Sequence, residues 1–185
     1  IGSYSLTANT TGSSNVAIGR SSLEANTTAD NNTAVGKHAL LVNTTGTQNV
    51  AVGALALDAN TTASSNTGLG YAALGANTTG AENTAIGKSS LVANTTGSYN
   101  VALGVNALDA NTTANRGTAI GFKSLTSNTT GAENTAVGYH SMHNSTTGNR
   151  NVAVGDVALD ANTTGDDNTA IGQGAMGANT TGAQN

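Results

Sequence analysis

Large apolar residues recur along this chain at two fixed places in a 17-residue cycle, with small and polar residues filling the intervals between them. Numbering the cycle from the Asn of Asn9-Thr10-Thr11, position ten reads Ile18, Val35, Val52, Leu69, Ile86 and onward. Position fifteen reads Leu23, Leu40, Leu57, Leu74, Leu91 and onward, with Met142 and Met176 late in the chain. The segment Asn15-Val16-Ala17-Ile18 alternates at period two, so it predicts a short strand with positions eight and ten on one side. Those two positions are expected to face inward. The residues around Leu23 predict a second extended stretch. Helix is disfavoured by the recurrent Gly, Asn-Thr-Thr and β-branched residues.

The cycle is a true internal repeat, the first thing to seek in a biased sequence. Asn-Thr-Thr-Gly, with small variations, returns once per cycle from Asn9. The chain divides into a partial repeat 1–8, ten full repeats 9–178 and a partial repeat 179–185. It starts and stops in mid-pattern without a polar cap, so a segment of a longer fibre is expected. Both Thr of the tetrad and the Gly after position ten never vary. Gly alone at position eleven implies αL geometry or close backbone approach there. Position four accepts Ala29, Ala63 and Ala114 and demands no such geometry. Position seven is Asn in every copy but Gly117, which fits either a left-handed residue or a hydrogen-bonded Asn ladder.

Stacking one coil per repeat gives a parallel β-solenoid, an all-β rod roughly 50 Å long at ~4.8 Å between neighbouring strands. Two large apolar ladders per coil leave a lone rod thin. Lateral assembly of three parallel chains, a homotrimer, is therefore expected. The contact ladder expected for it is the small position nine: Ala17, Ala34, Ala51, Ala85, Ala102, Ala119, Ala136, Ala153 and Ala170, with Gly68 the exception.

Composition narrows the function classes. The chain has no Cys, so no disulfide or thiolate metal site. Charged residues make up 9% of the sequence and the six Lys and Arg are scattered singly, unlike a nucleic-acid footprint. No run approaches the ~18 apolar residues of a membrane span. Nothing has the pattern of a catalytic site, and no cofactor or metal is implied. His38, His140 and His143 occupy variable positions; His140 and His143 beside Tyr139 read as a solvated pair before a weak metal site. Asp156, Asp166 and Asp167 lack the spacing of a calcium loop. Tyr71, Phe122 and Tyr139 share position twelve and are candidates for contact with a glycan.

Each Asn-Thr-Thr is also an N-x-[ST] glycan acceptor. The candidate sites are Asn9, Asn26, Asn43, Asn60, Asn77, Asn94, Asn111, Asn128 and Asn162, against the alternative that these Asn form a structural ladder at a turn. A slower rhythm, three cycles long, overlies the repeat: Val50, Val101 and Val152, and likewise Asp58, Asp109 and Asp160. It reads either as duplication in blocks of three coils or as a periodicity of about 14 Å along the rod, three strand spacings.

The core Asn15-Val16-Ala17-Ile18-Gly19-Arg20-Ser21-Ser22 and its copies resemble the N-S-V-A-I-G-x-x-S head repeat of the YadA-like trimeric autotransporter adhesins. The longer form with Asn-Thr-Thr-Gly resembles repeats of phage tail fibres and bacterial surface proteins. The resemblance implies a trimeric β-roll, an extracellular, cell-surface or virion location, and adhesion to a host surface or glycan. It departs in length, since the adhesin repeat is shorter and lacks the Asn-Thr-Thr-Gly insertion. It supplies no catalytic residue. A structural or adhesive fibre is the function expected. The alternative is an ice- or crystal-surface binder using Thr ladders, although adjacent Thr10 and Thr11 would point to opposite faces of a strand.

Overall fold

A computed structural model describes residues 1–185. Ten short strands, β1 (Val16–Ile18) to β10 (Thr169–Ile171), recur once per repeat and pair in chain order into one parallel ten-stranded sheet. Register is one coil per repeat throughout: Val16 pairs with Thr33, Ala17 with Ala34, Ile18 with Val35. The chain is an all-β solenoid with its strands on one side and turns closing each coil. It contains no helix long and apolar enough to cross a membrane.

The strands face the opposite way from the expectation. Position nine is the buried one: Ala102 has no exposed surface, whereas its neighbours Val101 and Leu103 are 39% and 44% exposed. The same holds along the sheet, from Ala34 and Ala51 to Ala136 and Ala153. The expected Ala contact ladder between chains is thus a ladder inside one chain. The physical reason is space. A 17-residue coil has a narrow interior, and the Leu ladder of position fifteen fills its apolar part, with Leu23 to Leu125, Met142 and Leu159 fully or almost fully buried. Only a methyl fits opposite it. Ala39, Ala56, Ala73, Ala107 and Ala158 of position fourteen complete one continuous apolar cluster.

The stretch around Leu23 is not a second strand. Leu23 sits at φ 49° and Ser21, just before it on the chain, at φ 56°, with equivalents in every coil. This left-handed geometry turns the chain so that the Leu side chain enters the core. Each coil still hands its hydrogen bonds to the next, as in Leu23 N–H to the Ala39 carbonyl (3.1 Å). Gly19 shows the close backbone approach, whereas its backbone is positive in φ but lies outside the αL region. Its φ is 131°, and a Cβ there would lie 2.5 Å from the Gly36 carbonyl oxygen of the next coil.

The rest of the interior is polar. Position seven forms an Asn ladder, while positive φ falls one residue earlier, at Ser14, Asn31, Gln48 and their equivalents. Asn49 donates both its backbone N–H (2.9 Å) and its Nδ2 (3.2 Å) to Asn32 Oδ1, and its Nδ2 also reaches the Ala63 carbonyl (2.8 Å). Position one forms a second ladder. Asn60 Nδ2 donates to Asn43 Oδ1 (2.9 Å) and to the same Ala63 carbonyl (3.0 Å). This turn carbonyl at position four is therefore held by two buried amides, which answers the requirement that buried polar groups be paired.

Candidate interaction surface on the outward sheet face

Because position nine turns inward, positions eight and ten turn out. Every one of the ten strands presents Val or Thr at position eight and Ile, Val or Leu at position ten, and none presents a charge. The strands are in register, so these side chains line up in two parallel ladders about 43 Å long, nine strand spacings. An exposed Leu is unremarkable singly, but a contiguous apolar patch of several hundred Å² marks an interaction site. The uncharged face as a whole covers on the order of 400 Å² in projection, from its length and a width of about 10 Å; within it position ten is aliphatic in every strand and position eight is Thr in six of ten. The signal for it in the sequence was the constancy of Ala at position nine, a size restriction that only an interior imposes.

The hydroxyls of Thr33, Thr67, Thr84, Thr118, Thr135 and Thr169 at position eight make no hydrogen bond within the chain, unlike position two, where Thr44 Oγ1 donates to the Thr61 carbonyl (3.1 Å). At the tetrad itself Thr27 is half-buried and Thr28 exposed, and the segment is a bend outside any strand.

The candidate glycan acceptors lie elsewhere, inside. Asn26, Asn43, Asn60, Asn77, Asn94, Asn111 and Asn162 have no exposed surface, and Asn128 has 1%. Their Nδ2 atoms are engaged, as Asn26 Nδ2 is with Asn9 Oδ1 (2.8 Å) and the Ala29 carbonyl (3.1 Å). Only Asn9, in the first coil, is half-buried, and its Nδ2 still donates to the Gly12 carbonyl (2.9 Å). The folded coil occupies the atom a glycan would use.

The variable positions gather one local cluster. Phe122 stacks on Tyr139 (5.6 Å), Tyr139 on His140 (4.1 Å) and His140 on His143 (4.4 Å). Tyr71 is exposed and far along the sheet from them. Desolvation, then His143 and Lys123, push the His140 pKa down, against Asp160 and Asp156. The folded coil therefore takes up that proton less readily than the unfolded chain, so stability declines as pH falls below the ordinary imidazole value of about 6.5. His38 lies on another coil. No group of three or more His, Asp and Glu is placed to hold a metal ion. Asp167 is held below its usual carboxylate range by Arg150, which it meets at 2.7 Å. Asp166 instead accepts from the Asn149 backbone (2.6 Å).

No protein-family model, curated protein or solved structure matches this chain.

Proposed function

We propose that this chain is a structural or adhesive segment of an extracellular fibre, on a cell surface or virion, built from three parallel copies packed through the outward sheet face. The observation that carries the reading is the uncharged outward face running the whole length of the sheet, with one ladder aliphatic throughout and the other made only of Val and Thr. Water solvates such a surface poorly, and copies of the same chain offer a partner of equal length and identical 17-residue spacing. A closed ring around an axis parallel to the rod keeps all ten layers level, with position eight nearest the axis and position ten against the neighbouring chain. The position-twelve aromatics Tyr71, Phe122 and Tyr139 remain on the flank, where a glycan or host surface could be contacted. Sedimentation equilibrium tests the assembly: the mass of three chains supports it, and a monomer at micromolar concentration refutes it.

A second reading has one specific observation in its favour. Positions eight and ten form the flat, regular i, i+2 array that an ice- or crystal-surface binder needs, with Thr at six of ten copies of position eight. Under that reading the chain is a monomer with thermal hysteresis. Measuring freezing-point hysteresis separates the two.

A further inference from the structure

We propose that the order of Val and Thr along position eight fixes the axial register of the assembled chains, so that each coil meets only its own equivalent in the neighbouring copies. This rests on the self-assembly reading above and adds what specifies it. Position ten is aliphatic in all ten strands and cannot distinguish one layer from another. Position eight can. It reads Val16, Thr33, Val50, Thr67, Thr84, Val101, Thr118, Thr135, Val152, Thr169. From Val50 onward this is Val every third coil, the three-cycle rhythm of the sequence placed on the exposed face.

Val and Thr have nearly the same shape, so either fits any layer sterically; they differ in a hydroxyl. Those six hydroxyls have no partner within the chain, and the two outward ladders around them hold no charge or amide to supply one. Once the face is covered, the available partner is the same Thr from another copy. Three hydroxyls meeting at the axis can each donate to one neighbour and accept from the other. A Val layer has nothing to satisfy. Sliding one chain by one coil sets Val50 against Thr67 and Val101 against Thr118, leaving hydroxyls dry and unpaired, which costs free energy that a matched layer does not. Sliding by three coils restores Val50 against Val101 and Val101 against Val152 but gives up three layers of contact. Zero offset is the arrangement that satisfies every layer over the full length, and it is the one that closes into a ring and not a staggered filament.

The test uses a chain with the pattern moved by one coil: Val16→Thr, Thr33→Val, Val50→Thr, Thr67→Val, Val101→Thr, Thr118→Val, Val152→Thr and Thr169→Val. Its composition is unchanged and each position accepts both residues in the natural repeat. A mixed assembly can match its layers only by slipping one coil, which uncovers a layer at each end. Mass-tagged natural and shifted chains are unfolded together, refolded and examined by native mass spectrometry. The inference predicts that each chain assembles with itself and that mixed species fall at least tenfold below the statistical share. Statistical mixing overturns the inference while leaving self-assembly intact. Monomers from the natural chain alone overturn the self-assembly reading, and this inference with it. Should the shifted chain fail to fold, single Cys variants decide, because the chain has no Cys of its own. Thr118→Cys chains mixed with Thr135→Cys chains should on oxidation cross-link like to like. Unlike pairs in equal amount, or an assembled fibre with no cross-link at all, overturn the inference.

Discussion

The two sides of each strand differ in a sense opposite to the usual one. Inward lie Ala of position nine and, beyond it, two ladders of fully buried Asn; outward lie Val, Thr, Ile and Leu. In β6 (Val101–Leu103) the contrast spans a single residue, with Ala102 sealed and Leu103 nearly half exposed. The difference teaches that interior width, and not hydrophobicity alone, sorts residues in a thin coil. A large apolar side chain at position nine would collide with the Leu ladder. The polar Asn belong inside because they close the coil's own turn carbonyls.

The strongest way to break this contrast is to place the same charge on either side of β6. Ala102→Glu buries an unpaired carboxylate among Leu and Ala, and should cost more than about 4 kcal/mol, enough to unfold the coil. Val101→Glu keeps its carboxylate in water on a single chain. Circular dichroism should show β structure lost in the first variant and retained in the second, with the second losing assembly instead.

That pair of outcomes also marks where sequence reasoning succeeded and failed. The 17-residue coil, the parallel in-register sheet, the Leu23 ladder and the constraint on Gly19 were legible, because identical neighbours stack and each invariant column reports one environment. Orientation was misread. Val16 and Ile18 look like core by hydrophobicity, and Ala17 looks like a close-packed contact; the deciding quantity, room opposite Leu23, is a property of the closed coil. The left-handed turn at Leu23 was invisible for a related reason. Nothing in local propensity places Leu at positive φ, and it is held there by inter-coil hydrogen bonds and burial. The Asn ladders were legible as one of two alternatives, since an Asn amide reads the same at a turn whether it is left-handed or bridging.

Within the interior, Asn66 tests the polar half of the core. Asn66→Ala removes its donation to the Gly80 carbonyl (2.9 Å) and its Oδ1 acceptance from Asn83 N–H (2.9 Å) and Nδ2 (3.2 Å). A loss of about 2–4 kcal/mol is expected from the buried groups left unpaired. Thr67→Ala, one residue along and outward, should leave stability nearly unchanged when both substitutions are compared by chemical denaturation in the unassembled Val101→Glu background.

A gain is expected where the ladder is interrupted. Ser145 replaces Asn at position one, and both Ser145 Oγ and Asn128 Oδ1 lack a partner. Ser145→Asn should let its amide donate to Asn128 and to the Gly148 carbonyl, and accept from Asn162. About 1 kcal/mol of added stability is predicted, read as a raised Tm.

The smallest effect belongs outside. Arg150 pairs with Asp167 at 2.7 Å on the surface. Exposed pairs of this kind contribute little. Arg150→Ala should not move the denaturation midpoint beyond error near neutral pH. The natural chain should lose whatever the pair provides as pH falls through the depressed Asp167 pKa, because the unfolded carboxylate protonates first.

The most direct test of the outward face is the solution mass of the natural chain beside Val101→Glu/Leu103→Glu, measured by sedimentation equilibrium with circular dichroism as a check on folding. The predicted result is three chains for the natural protein and a folded single chain for the variant. A natural chain that sediments as a monomer, or a folded variant that still sediments as three chains, would contradict the account.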